Sequence, residues 1–253
     1  MKVAVLAGGQ GTRLAEETRV KSKAMVRIGE QPILWHLLKY YEHYGYTRFV
    51  IALGHHGDSI REYFQSLGSR AAAATEGACT TMRPAAEPRW TVELVETGLE
   101  TMSGGRIKRL GPYLDGEAFM LTWCDGLADI DLDALRAFHE GHGRLATLSA
   151  VHPPGRFGRL TLDGDEVRAF REKEIDRDEW INGAFFVLEP AVLDHITGDD
   201  TQFEREPLCA LAAAGELMAR RHEGFWQCMD TLKEAQELDA LWRSGGAAWQ
   251  VWG

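Results

Sequence analysis

A short apolar strand runs directly into a glycine-rich turn at the start of this chain. Residues 3–7 read Val-Ala-Val-Leu-Ala, and residues 8–13 read Gly-Gly-Gln-Gly-Thr-Arg. A strand that opens into such a turn is typical of α/β folds, which bind ligands at the carboxyl ends of parallel strands. Glycines let backbone N–H groups approach phosphate oxygens, and Arg13 adds a forked cationic group. The segment therefore predicts a phosphate-binding loop at the edge of a parallel sheet.

Two better-known phosphate-binding loops do not match this turn. A P-loop has a lysine directly after its last glycine, whereas Thr12 follows Gly11 here. A dinucleotide-binding fingerprint that starts at Gly9 would need a third glycine where Leu14 stands. A tight turn without a ligand stays open as the alternative, but the clustered glycines and Arg13 favour phosphate binding.

The charge of the chain and the spacing of its apolar residues exclude several classes of protein. The 253 residues carry a formal net charge of −10, which argues against a nucleic-acid surface because such a surface needs clustered Lys and Arg. No apolar run approaches the roughly 18 residues of a membrane span, and Gly8 ends the first apolar run too early for a signal peptide. The cysteines lack the C-x-x-C spacing of zinc sites. We therefore expect a cytoplasmic protein without a membrane or nucleic-acid partner.

Hydrophobic periodicity predicts strands and helices in alternation along most of the chain. After the first loop, the pattern predicts a helix over 33–44 that stops at Gly45, a strand over 49–53 and a helix over 58–67. This rhythm favours a parallel sheet with helices on its faces. Later elements are predicted as strands at 90–96, 119–123, 146–151 and 184–188, and as helices at 107–114, 132–138, from 190 onwards and at 232–242.

Two segments depart from this rhythm. Residues 69–88 lack periodicity and are predicted to form a long, irregular excursion. Residues 157–172 predict a β-hairpin that turns at Asp163-Gly164. Because no internal repeat is visible, we expect one Rossmann-like α/β domain over 1–253, with a mostly parallel, mixed sheet flanked by helices and a small β-hairpin region.

Two carboxylates stand out by their position. Asp125 follows the buried strand 119–123, so we expect it at the sheet edge where the glycine loop also lies. Asp230 lies in the apolar stretch 225–231, where an unpaired carboxylate would be costly. Two such acids beside a phosphate-binding loop suit Mg²⁺, which is typically held by one or two carboxylates and by substrate phosphates. For Asp230, an N-cap of the last helix stays open as the alternative.

Several stretches of the chain carry a resemblance to a known family, namely residues 7–14, 32–36, 97–106, 153–158, 180–183 and 224–227. They are similar to stretches of the sugar-1-phosphate nucleotidyltransferases, and the last three are specific to the cytidylyl subgroup. This resemblance covers nearly the whole chain. It implies transfer of CMP from CTP to a sugar 1-phosphate, above all α-D-glucose 1-phosphate, to give CDP-glucose and pyrophosphate. It also implies a homo-oligomer and a place in cell-surface polysaccharide biosynthesis.

The same resemblance implies roles for individual residues. Thr12 and Arg13 would bind the β- and γ-phosphates of the nucleotide, and Lys23 would neutralise charge on the reacting phosphates. Lys173 would bind the sugar phosphate, and Asn182-Gly183 would line the sugar pocket. The residues implied at the nucleotide and sugar sites are Leu6, Ala7, Gly8, Gly9, Gly11, Thr12, Arg13, Lys23, Thr101, Arg106, Cys124, Lys173, Asn182 and Gly183.

Of these residues, Arg13, Lys23 and Lys173 are implied, together with Asp125, to act on the reacting phosphates. Asp125 and Asp230 are implied as the ligands of Mg²⁺. Nucleotidyl transfer joins two anions, so the protein has to position them and neutralise their charge. A phosphate monoester is already largely ionised at neutral pH, so no general base is needed and no histidine is assigned a catalytic role.

The chain departs from the family pattern around the predicted site. Ser22 and Ala24 stand where prolines flank the lysine, which predicts a looser turn. Cys124 stands for a glycine, and Glu174 and Cys228 stand for prolines. Two alternatives therefore stay open. One is a CTP-dependent enzyme that acts on another phosphorylated sugar or small phosphate, and the other is a nucleotide-binding regulatory subunit without turnover.

Overall fold

A computed structural model of the protein describes residues 1–9, 11, 21–68, 74–76, 78–155, 158–172 and 178–252. The predicted site residues Thr12, Arg13 and Lys173 lie outside these ranges, as does Glu174. The strands are β1 Val3–Leu6, β2 Arg27–Ile28, β3 Gln31–Pro32, β4 Arg48–Leu53, β5 Ala74–Glu76, β6 Cys79–Met82, β7 Thr91–Glu96, β8 Phe119–Trp123, β9 Gly126–Ala128, β10 Ala146–Val151, β11 Arg159–Asp163, β12 Glu166–Arg171, β13 Ile181–Leu188, β14 Leu217–Arg221 and β15 Trp226–Cys228. The helices are α1 Ile33–His43, α2 Gly57–Ser66, α3 Ser103–Leu110, α4 Leu132–His142, α5 Glu206–Ala213 and α6 Leu232–Arg243, with 3₁₀ turns at Lys23–Met25, Gly111–Tyr113 and Pro190–His195.

The longest strands belong to one mixed sheet in the order β14-β10-β13-β8-β1-β4-β7-β6-β5. Its centre is parallel, because β1 pairs with β8 and β4, and β4 pairs with β7. Side chains of β1 alternate between the two faces of the sheet. Val3 and Val5 pack in the same core cluster as α1, α2, α4 and α6, whereas Ala4 and Leu6 pack with α3 and α5. The predicted α/β class, with a mixed sheet flanked by helices, is confirmed.

Several elements coincide with their predicted bounds. The strands at 119–123 and 146–151 are β8 and β10, and the hairpin of β11 and β12 turns where Asp163-Gly164 was expected. Helix α1 is followed by Gly45, whose positive φ of 84° fits the predicted stop. No helix among the described ranges is long and apolar enough to span a membrane.

The segment 69–88 was predicted to be irregular, but it contributes strands β5 and β6 to the sheet. For these two strands the prediction is wrong. Strand β6 pairs antiparallel with β7, and β5 pairs antiparallel with β6 at the edge. Cys79 and Met82 are the buried residues of β6, and two threonines separate them. So short a strand shows no clear period in the sequence, and its pairing with β7 is a tertiary effect.

His36, a buried histidine of helix α1, lies at the centre of a cluster of aromatic side chains. His36 is fully buried, and its Nε2–H donates a 2.8 Å hydrogen bond to the carbonyl of Ile28. Its Nδ1 accepts from the indole N–H of Trp249 at 3.4 Å, so the ring is neutral with the proton on Nε2. Burial outweighs the hydrogen bond to Ile28 and lowers the pKa of His36 to about 4.

This histidine is expected to make the stability of the protein depend on pH. In the unfolded chain His36 takes up a proton near pH 6.5, but in the folded protein only near pH 4, so the unfolded state binds more protons in between. The free energy of unfolding should therefore fall as the pH falls from 6.5 to 4, by about 3 kcal/mol from this residue. Urea titrations of the wild type and of His36→Gln over this range check it, and equal pH slopes for both proteins would contradict it.

Candidate active site

A pocket with a volume of about 490 Å³ opens at the carboxyl ends of the central parallel strands. The end of β1 and the glycine loop form one wall, and the residues after β7 and β8 form others. The predicted site residues that line this pocket are Leu6, Ala7, Gly8, Gly9, Gly11, Lys23, Thr101, Arg106, Cys124, Asp125 and Asp230. The tertiary structure thus brings the glycine loop, the lysine and both carboxylates together.

The two carboxylates meet because two short strands pair with each other. Strands β9 and β15 are antiparallel, and one of the acids lies just outside each strand. Asp125 immediately precedes β9, whereas Asp230 lies two residues after β15. The N–H of Met229 donates a 2.8 Å hydrogen bond to the carbonyl of Asp125, which holds the two chain segments side by side.

Lys23 lies between these two carboxylates. Its Nζ is 2.6 Å from Oδ2 of Asp125 and 2.7 Å from Oδ1 of Asp230. Burial opposes the charge of the ammonium, but the two carboxylates outweigh burial and raise the pKa of Lys23 well above its usual value. The lysine is therefore charged at neutral pH, and the three groups carry a net charge of about −1 when both acids are ionised.

The N-cap of the last helix is Thr231, so the alternative role for Asp230 is wrong. The hydroxyl of Thr231 accepts from the N–H of Glu234, and the carboxylate of Glu234 accepts from the N–H of Thr231. These two bonds form a capping box. Glu234 also accepts from the N–H of Asp230 at 2.7 Å, which leaves the side chain of Asp230 to face Lys23.

Arg106 is buried and packs against Gly8 in the glycine loop. It is 5% exposed, and its guanidinium donates to the carbonyls of Leu53, Gly98 and Leu99 at 2.7–3.0 Å. A Cβ atom on Gly8 would lie 2.4 Å from Nη1 of Arg106, so only glycine allows this close approach. Arg106 therefore joins the end of β4 to the loop after β7 and packs closely against Gly8, in addition to lining the pocket.

Asn182 and Gly183 lie in β13, outside the lining of the pocket. Oδ1 of Asn182 accepts from the N–H of Ala184, which has a positive φ of 62°. The carbonyl of Gly183 accepts a 2.8 Å hydrogen bond from the indole N–H of Trp226 in β15. The bond to Gly183 thus connects β13 to β15, the strand that leads to Asp230, whereas the bond of Asn182 stays within β13.

The two cysteines near the carboxylates have different surroundings. Cys124 packs in the hydrophobic core, and burial together with the charge of Asp125 raises its pKa to about 12. It is therefore a thiol at neutral pH. Cys228 is half-buried, and its Sγ lies 4.0 Å from Oδ2 of Asp230.

Several lining residues were not singled out in the sequence, namely His55, Leu99, Glu100, Met102, Ser103 and Trp123. His55 follows β4, and a histidine in the loop after a strand carries no specific signal for a site. Leu99 and Met102 are large apolar side chains that are 58% and 44% exposed. Their position inside the stretch 97–106, which carries part of the family resemblance, was the available signal.

The chain is similar to known proteins both in sequence and in fold. A sequence profile of the nucleotidyl transferase family matches residues 2–231. The chain is 48% identical to the glucose-1-phosphate cytidylyltransferases of Salmonella typhi and Salmonella typhimurium over 100% of each chain. Its fold is similar to that of HddC from Yersinia pseudotuberculosis, with a TM-score of 0.71, 21% identity and coverage of 95% of this chain and 99% of that chain.

Proposed function

Because the chain belongs to the nucleotidyl transferase family, we propose that it transfers CMP from CTP to α-D-glucose 1-phosphate. The products are CDP-glucose and pyrophosphate. The observation that carries this proposal is the 48% identity to curated glucose-1-phosphate cytidylyltransferases over the full length of both chains. The pocket supports it, because the glycine loop, Lys23 and two carboxylates line one cavity.

In the proposed reaction, a phosphate oxygen of glucose 1-phosphate attacks the α-phosphorus of CTP. The bond from this phosphorus to the oxygen that bridges to the β-phosphate breaks, and pyrophosphate leaves with the electron pair. The attacking phosphate is already ionised, so the protein need not remove a proton. The backbone N–H groups of the glycine loop bind phosphate oxygens, and the ammonium of Lys23 neutralises charge that accumulates in the transition state.

We further propose Mg²⁺ as the cofactor, held by Asp125 and Asp230. The ammonium of Lys23 lies within 2.7 Å of one oxygen of each acid, so the two carboxylates are close enough together for one metal ion beside Lys23 to reach both. No cluster of three or more metal-binding side chains occurs in the described part of the chain, and Mg²⁺ commonly completes its ligands with substrate phosphates and water. When bound, the ion neutralises phosphate charge.

Pyrophosphate release from a panel of nucleotides and acceptors tests the proposal. CTP with glucose 1-phosphate should give the highest kcat/KM, and the product should be CDP-glucose by mass spectrometry. UTP and dTTP serve as competing donors, and mannose 1-phosphate and glycerol phosphate as competing acceptors. Turnover only with another acceptor would favour a CTP-dependent enzyme for a different phosphorylated sugar or small phosphate, whereas nucleotide binding without any turnover would favour a regulatory subunit.

We also propose that the enzyme is a homo-oligomer that acts in the cytoplasm, where its product would serve cell-surface polysaccharide biosynthesis. Self-association is supported by the hairpin of β11 and β12, which exposes apolar side chains to solvent. Leu160, Leu162, Val167 and Phe170 are each more than half exposed. Light scattering of the purified protein measures the molar mass directly, and a mass of one chain would overturn this part.

A further inference from the structure

Ser22 closes the turn that carries Lys23. Its side chain is 2% exposed and caps the 3₁₀ turn Lys23–Met25, where its Oγ accepts from the N–H of Ala24 at 3.3 Å. The same hydroxyl donates a 3.3 Å hydrogen bond to the carbonyl of Ala7, directly before the glycine loop. One hydroxyl therefore joins the lysine turn to the phosphate-binding loop.

Ser59 joins the same turn to helix α2. The N–H of Ser22 donates to Oγ of Ser59 at 3.0 Å, and the hydroxyl of Ser59 donates to the carbonyl of His56 at 2.7 Å. His56 precedes α2 and has a left-handed φ of 57°. The first turn of this helix is thus anchored to the backbone of Ser22 through one side chain.

We propose that Ser22 and Ser59 are positioning residues that hold Lys23 where its ammonium meets both carboxylates. A lysine side chain has four rotatable bonds, so its end is placed accurately only when its backbone is held. The proposal rests on the proposed function, in which the ammonium of Lys23 acts on the reacting phosphates. A shift of about 1 Å in such a group can lower the rate on the order of 100-fold.

Serine-to-alanine variants test the proposal, with a matched control on the same helix. Ser66 also donates to a carbonyl three residues earlier, that of Tyr63 at 2.6 Å, but it lies at the exposed end of α2. Ser22→Ala and Ser59→Ala should each lower kcat by about tenfold or more, with KM for CTP changed by less than about twofold. Ser66→Ala should keep the wild-type kcat. Wild-type kcat in Ser22→Ala, or equal losses in all three variants, would overturn the proposal.

A proline at position 22 removes both kinds of contact that Ser22 makes with its neighbours. Ser22 has φ −59°, which lies in the range of a proline ring, but Ser22→Pro loses the hydroxyl that binds Ala7 and also the N–H that binds Ser59. We expect kcat of Ser22→Pro to be no higher than that of Ser22→Ala, because proline loses one more hydrogen bond. A wild-type kcat in Ser22→Pro would overturn the proposal.

A chemical readout keeps this test independent of the substrate. Lys23 is 12% exposed and paired with two carboxylates, so it should react slowly with an amine-acylating reagent. Mass spectrometry of the Lys23 peptide should show faster acylation in Ser22→Ala and Ser59→Ala than in Ser66→Ala. If the wild type has no turnover with CTP and glucose 1-phosphate, the proposed function fails, and equal acylation in all variants would separately reject the role of the serines.

Discussion

Replacement of Asp125 by asparagine is expected to abolish turnover while the protein stays folded. Asparagine has nearly the same shape as aspartate but no charge, so it binds a divalent cation far more weakly. Lys23 keeps its 2.7 Å ion pair with Asp230, and the hydrogen bond from Met229 to the backbone of residue 125 is unaffected. We expect kcat to fall by about 1,000-fold or more, as for other groups that stabilise transition-state charge. Single-turnover kinetics and thermal unfolding measure the two effects separately.

Asp230→Asn should behave in the same way, and its neighbour provides the control. Thr231 is the N-cap of α6 and does not line the pocket. Thr231→Ala should therefore cost about 1 kcal/mol of stability with kcat unchanged. Asp230→Asn should lower kcat with little change in unfolding temperature. If Asp230→Asn loses stability but keeps its activity, Asp230 is a structural residue and the proposed metal site is wrong.

Lys23→Met is expected to lower kcat on the order of 100-fold or more. Methionine keeps the length and the apolar stem of the side chain but removes the ammonium that would neutralise the reacting phosphates. Because this charge is needed most in the transition state, kcat should change more than KM for CTP. Steady-state kinetics with CTP varied at saturating glucose 1-phosphate give both constants.

Lys39 offers a matched control for this substitution. It also lies between two carboxylates, with Nζ 2.7 Å from Glu42 and 3.3 Å from Glu87, but it does not line the pocket. Lys39→Met should leave kcat at the wild-type value, although it lowers the stability because Glu42 and Glu87 lose a mostly buried cationic partner. Equal loss of activity in both lysine variants would show that charge removal acts through the fold rather than at the site.

Local pattern was sufficient for many elements of the fold. Strands β8 and β10 are continuous apolar runs, and the hairpin turn at Asp163-Gly164 uses residues that favour turns. The segment 69–88 shows the limit of local pattern, because β6 becomes a strand only through its pairing with β7. Helix α5 and strand β14 were also missed, since few of their residues are fully buried.

The cap of α6 could have been found in the sequence. Thr231 followed by Glu234 has the spacing of a capping box, directly before the apolar positions of the helix. Both Asp and Thr are common N-caps, however, so residue type alone left Asp230 and Thr231 as competitors. The hydrogen bonds of Glu234 decide between them.

The sequence by itself determined the α/β class, the glycine loop and the family resemblance that singled out Lys23 and the two aspartates, because these depend on residue type and short spacing. Only the tertiary structure decided that Asp125 and Asp230 share one ammonium, since this requires β9 to pair with β15 far along the chain. It also decided the role of Ser22. The sequence predicted a looser turn because the flanking prolines are absent, but the buried hydroxyl of Ser22 closes the turn by its hydrogen bonds to the carbonyl of Ala7 and the N–H of Ala24. The contact with Ala7 joins residues from separate segments, so no local sequence pattern predicts it.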